Sequence, residues 1–202
     1  MAISERLATL LQASKVRFSV IKHPVVYTAQ EIAAVEHVPG KQLAKCVLVL
    51  TDRGPALAVL PASYLIDFKL LKALLKAKTA TIAKESDIKQ RFPDVEVGAM
   101  SPFGNLYEVP VLIERTLGES EEIVFNAGSH TDTIRMRYAD VLTLTKAKLG
   151  AFGRPISDPV RRPARKTRPA TSSRKTARRA KPPTRRPTVR RPRAKTNTRK
   201  PR

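Results

Sequence analysis

The sequence predicts an α+β (mixed α/β) domain followed by a disordered basic tail. Two observations carry this. Helical and strand periods mix along residues 1–153 with no regular strand–helix–strand repeat. After Gly153 the composition changes abruptly. A sheet assembled from such an order is largely antiparallel or mixed, and closed or strongly curved.

Each element has a local cause. Ile3, Leu7, Leu10 and Leu11 fall on one face of a helix over 3–13. Residues 17–23 alternate as a strand. Thr28 and Glu31 fit a capping box, in which the hydroxyl accepts from the Glu31 amide and the carboxylate reaches back. A short helix over 29–36 should follow and stop before Pro39-Gly40. Residues 43–52 and 55–62 are apolar strands around Asp52-Arg53-Gly54, a hairpin pattern. Asp67 is the expected N-cap of a helix carrying Phe68, Leu71, Leu74 and Leu75 on one side. Residues 80–83 read as a strand and 86–92 as a short helix. Residues 109–115 and 121–128 read as strands around a turn at Gly118. Residues 133–145 begin as a strand and end in a helical turn after Asp140.

The charge is as uneven as the patterning. The chain of 202 residues has 39 Lys and Arg against 17 Asp and Glu, a net of +22. Residues 154–202 hold 20 of those cations and one acid, Asp158, leaving residues 1–153 at only +3. Every aromatic residue, Met and Cys precedes the tail. About 150 residues suffice for a core. The tail has prolines, like charges and almost no apolar area to offset chain entropy, so it should not fold. The expected domains are 1–153 and 154–202.

Several function classes are excluded. A single Cys makes no disulfide framework or cysteine zinc site, and the three His show no metal-ligand spacing. No metal or cofactor is expected. No apolar run is long enough to span a membrane, and the N-terminus is unlike a secretory signal, so a cytoplasmic setting is expected.

Three segments stand apart. In Gly40–Val49, Lys45 enters an apolar strand at its start, either at a solvated end or in a pocket. Gly98-Ala99-Met100-Ser101-Pro102-Phe103-Gly104 is a rigid loop whose backbone can approach a ligand, or a tight turn with Phe103 in the core. Phe125–Asp132 is a small-residue loop with amides able to bind an anion or carbonyl, or simply a turn. Ser129 and His130 are adjacent, so their side chains diverge and form no triad. There is no Gly-x-Ser-x-Gly elbow and no phosphate loop.

Taken in order, His23-Pro24, Thr28 opening a helix, Ala44–Val49, Gly98-x-x-x-Pro102-Phe103-Gly104 and Ala127-Gly128-Ser129 resemble a known family. It is the YbaK/ProX family of trans-editing aminoacyl-tRNA deacylases, related to the editing domain of bacterial prolyl-tRNA synthetases. The resemblance covers roughly residues 3–148. It implies a curved, barrel-like mixed sheet flanked by helices, and hydrolysis of the ester joining a wrong amino acid to the 3′ end of a tRNA. It implies that the essential Lys is Lys45 and that the Gly-x-x-x-Pro loop is Gly98 to Pro102. It implies a water nucleophile helped by the free hydroxyl of the terminal ribose, with no metal. Cys46 stands where many relatives carry Thr or Ser. It is expected to face away from Lys45 and to take no part.

The substrate-binding candidates are Gly98, Ser101, Pro102 and Phe103, then Gly128, Ser129 and His130, and Thr28. Met100, Phe103 and His130 are the expected pocket walls. The partner is a mischarged tRNA. The tail, with its cations and no aromatic residue, should attach to RNA or DNA phosphates without reading sequence. A second reading is a non-catalytic nucleic-acid-binding protein that keeps an editing domain as an adaptor. Lys45 and the Gly98–Pro102 loop favour the enzyme, because an adaptor has no need of that Lys.

Overall fold

A computed structural model describes residues 3–156. The tail expected to be disordered lies outside the described residues, apart from its first three positions.

The chain begins with helix α1 (Glu5–Ser14), which buries Leu7 and Leu11, and strand β1 (Phe18–Lys22). Helix α2 (Ala29–Val35) carries both halves of the expected capping box: Thr28 Oγ1 accepts from the Glu31 amide at 3.2 Å, and the Thr28 amide donates to Glu31 Oε2 at 2.9 Å. Strands β2 (Ala44–Thr51) and β3 (Gly54–Pro61) form the expected antiparallel hairpin. After β4 (Tyr64–Ile66), Asp67 caps helix α3 (Phe68–Leu75) through the amides of Lys69 and Leu70. Strand β5 (Ala80–Ile82), helix α4 (Glu85–Arg91) and strand β6 (Val111–Glu114) follow. Strands β7 (Glu122–Asn126) and β8 (Asp132–Arg137), helix α5 (Tyr138–Thr145), and strands β9 (Lys148–Gly150) and β10 (Gly153–Pro155) complete the described chain.

The strands make a five-stranded mixed sheet in the order β5-β2-β3-β6-β9, a three-stranded antiparallel sheet β1-β8-β7, and the pair β10-β4. A single bridge, Leu43 to Val124, joins the two larger sheets. Residue alternation along β3 explains why it is apolar throughout: Leu57 and Val59 enter the main core, while Ala56, Ala58 and Leu60 enter a second cluster with Leu71 and Phe152. A third cluster, Ile32, Val38, Leu43, Ala62 and Val124, holds α2 over the junction of the sheets.

Two sequence expectations are corrected. Residues 109–115 and 121–128 do not pair around a turn. β6 lies between β3 and β9, both parallel to it, whereas β7 pairs with β8. A 3-10 helix, Arg115–Glu119, connects them and buries Leu117, and this plug carries the chain from one sheet to the other. The domain edge also lies beyond 153. The Glu114 side chain is buried and accepts from the amides of Phe152 and Gly153, which delivers Arg154 and Pro155 to β4. Of the four three-residue strands, β5 was expected from residues 80–83, whereas β4, β9 and β10 were not.

Candidate active site

Lys45 sits at the second position of β2, after the buried Ala44. Its half-buried side chain donates from Nζ to the Ala62 carbonyl, 3.2 Å away at the far end of β3. Desolvation holds its pKa below the usual lysine range. The Lys therefore lies in a pocket and not at a solvated strand end. Tyr27, Gln30, Ile32, Lys45, Gly98 and Asn126 surround a cavity of about 190 Å³.

Gly98 lines the same cavity. Its φ of +93° is a conformation that side chains rarely adopt, and a Cβ there would stand 3.4 Å from His130 Cε1. Its amide makes no backbone hydrogen bond among the described residues. Asn126, at the end of β7, donates from Nδ2 to the Gly98 carbonyl at 3.4 Å. His130 backs the loop: its amide donates to Glu96 Oε2 at 2.8 Å, and Nε2 is 2.9 Å from the Val97 carbonyl. On the assignment that Nε2 carries the proton, Nδ1 is an acceptor, buried without a partner. The His130 ring packs on Tyr27 with centroids 4.8 Å apart. Tyr27 is largely exposed and flanks Thr28, whose cap fixes where Tyr27, Ala29 and Gln30 meet the cavity.

The remaining candidates separate. Met100 and Phe103 are buried in the main core, Phe103 against Phe125, so neither walls the cavity. Ser101 and Pro102 are buried beside them and do not line it. Gly128 donates its amide to Ala99 O at 3.1 Å, and its carbonyl accepts from the Glu96 amide, so it offers no free donor. Ser129 Oγ donates to Asp132 Oδ2 at 3.2 Å, and Thr131 Oγ1 donates to the same oxygen. Thr28 keeps its hydroxyl on the cap. Cys46 packs on the main core with Ala44 and Leu48, while Val47 and Val49, which alternate onto the Lys45 side of the strand, pack in the second cluster; Cys46 and Lys45 both border the cavity. Burial pushes its thiol far above the usual range, so it stays protonated. Gln30, Tyr27 and Asn126 were missed in the sequence, where nothing in their spacing marks them. Among the described residues no three His, Cys, Asp or Glu side chains gather as a metal set.

This arrangement can accept a small acyl group between a cation and a backbone amide. A solved structure described as a candidate trans-editing enzyme for prolyl tRNA synthetase matches with a TM-score of 0.68 at 18% identity, over 75% of this chain and 96% of that one. The hypothetical protein APE2540 matches with a TM-score of 0.69 at 16% identity, over 74% and 100%. At these identities the likeness is one of fold. In sequence, the prolyl-tRNA editing protein ProX of Acetoanaerobium sticklandii is 25% identical over 148 residues, 70% of this chain and 90% of that protein. The family model for the aminoacyl-tRNA editing domain matches residues 23–144, a span that holds Lys45, Gly98 and His130, and this chain belongs to that family.

Proposed function

We propose that the chain hydrolyses the ester between a small, wrongly attached amino acid and the 3′ ribose of a prolyl-accepting tRNA. The observation that carries this reading is that the half-buried Lys45 and Gly98, whose amide has no backbone partner among the described residues, line the same cavity of about 190 Å³. The tRNA class follows the relative described as a prolyl-tRNA editing protein.

An aminoacyl ester is already activated, so catalysis needs chiefly positioning and oxyanion stabilisation. Water adds to the ester carbonyl carbon. The bond to the ribose oxygen breaks, and that oxygen takes the proton the water loses. The neighbouring ribose hydroxyl orients the water. The Gly98 amide is the oxyanion donor, and Lys45 holds the carbonyl oxygen or the terminal phosphate as a point charge. The cavity size selects against larger side chains. One methylene is worth only about 1–3 kcal/mol, which is why a separate hydrolytic step is useful. The basic tail adds affinity for the RNA backbone.

The test is a deacylation screen over a panel of mischarged tRNAs, with the full chain, Lys45→Ala and a chain ending at Ile156. Lys45→Ala should lose more than 90% of the activity. A smaller loss corresponds to under about 1.4 kcal/mol of barrier and removes Lys45 from the mechanism. Ending at 156 keeps β10 and removes 19 of the 39 cations, all but Arg154 of the tail's 20. Turnover at saturating tRNA should persist. If 6–10 tail cations meet phosphates, log affinity against log salt should lose a slope of roughly 4 to 9. No hydrolysis of any mischarged tRNA by the full chain would sink the enzyme reading.

A further inference from the structure

The sheet β1-β8-β7 carries a second, larger cavity, of about 570 Å³, that the ester chemistry does not use. Arg17, Arg135, Arg137 and Gln42 line it, with Glu121 and Glu122. Arg135 and Arg137 are two apart on β8 and so share a face. Continuing the β1–β8 register by one residue sets Arg17 opposite Arg137. Like charges opposed across strands repel and call for a compensating anion.

The glutamates do not supply it. Glu122 is the register partner of Arg137, the arrangement in which a cross-strand ion pair would form. Yet among the described residues the one basic–acidic side-chain contact within 4.0 Å is His23–Glu36, and none involves an arginine. The three guanidinium groups therefore have no carboxylate partner among the described residues. Arg135 Nε is buried without any acceptor, and a buried donor left open is costly. A planar fork of N–H donors with no carboxylate on it matches the oxygens of a phosphate.

The groove adjoins the active-site cavity through both of its strand segments. Gln42 lines the groove and Leu43 the cavity. Val124 lines the groove, and Asn126, two residues on along β7, lines the cavity. Two residues of strand span about 7 Å. We propose that Arg17, Arg135 and Arg137 form a phosphate subsite that holds an internucleotide phosphate of the tRNA acceptor strand while its 3′ end lies beside Lys45. The subsite rests on the deacylase reading for the identity of its ligand and is separate from the basic tail.

The test compares the full-length wild type with R135Q, R135K and R137Q in two assays. One is hydrolysis of a mischarged tRNA against the same amino acid esterified to adenosine, which has no internucleotide phosphate. The other is binding of uncharged tRNA at fixed salt. R135Q should raise KM for the charged tRNA about tenfold more than for the adenosine ester, with kcat retained, and R135K should recover part of the loss. R137Q, at an exposed position, should act in the same direction without touching the fold. E122Q should tighten tRNA binding, since it removes a carboxylate beside the phosphate. Equal losses on both substrates, or uncharged-tRNA binding unmoved by R135Q and R137Q, would overturn the subsite while leaving the deacylase reading intact. If no protein hydrolyses either ester but R135Q and R137Q still weaken uncharged-tRNA binding, the deacylase reading fails and the phosphate subsite stands.

Discussion

The segments 98–104 and 126–132 both carry glycine and small polar residues, and in the sequence they offer the same promise of free backbone donors. Folded, they differ. The first sets Gly98 on the cavity that Lys45 also lines, with its amide free of backbone partners among the described residues, and sinks Met100 and Phe103 into the core. The second satisfies itself: the Gly128 amide goes to Ala99, and the hydroxyls of Ser129 and Thr131 go to a buried Asp132. One loop leaves a backbone amide without a backbone partner at the cavity, and the other satisfies its own donors. His130 joins them, contributed by the second loop and packed behind Gly98. Glycine content says that the chain can bend, and only the hydrogen-bond partners say whether a donor is left over.

The sharpest way to break that contrast is a pair of matched substitutions. Gly98→Val should reduce deacylation at least tenfold per folded molecule, because the backbone is strained at φ +93° and its relief moves the part of the cavity lining that Gly98 supplies. Gly128→Val meets φ +111° and a Ser4 Cβ only 3.2 Å away, so it should cost about 1–3 kcal/mol of stability. Its activity per folded molecule should stay near wild type. Urea unfolding and single-turnover deacylation on both variants decide it. Equal activity losses would mean that both loops serve the substrate.

Asp132→Ala tests the second loop more gently. It leaves the hydroxyls of Ser129 and Thr131 without their acceptor, which should cost about 1–3 kcal/mol. Activity per folded molecule should hold. A collapse of turnover at unchanged stability would return Ser129 to the chemistry.

The smallest expected effect concerns Lys45 and has an unusual sign. Its folded pKa lies below its unfolded value near 10.5, because burial penalises the cation. Between those two values the unfolded chain binds the extra proton, so stability rises with pH across that window. Below it, the buried ammonium is a cost to the fold. Lys45→Met should therefore leave Tm at neutral pH unchanged or slightly higher while removing activity. Activity that depends on the cation should fall as pH rises through the lowered pKa. Thermal melts and pH–rate profiles of both proteins check this, and a Tm markedly lower in Lys45→Met would make the residue structural.

The sequence by itself determined what depends on neighbours a few positions away. The Thr28–Glu31 box, the Asp67 cap and the β2–β3 hairpin were all legible because each closes within the local chain. The family pattern was legible too, as residue types in a fixed order. Tertiary structure decided the rest. It sent β6 and β7 to different sheets, carried the domain past 153 through the buried Glu114, and drew Tyr27, Gln30 and Asn126 around the cavity. These outcomes turn on contacts between residues tens of positions apart, whose partners leave no mark in local spacing. The same holds for the arginines of the β1-β8-β7 sheet. Strand register sets Arg17 opposite Arg137, and among the described residues no carboxylate lies within ion-pair distance of either.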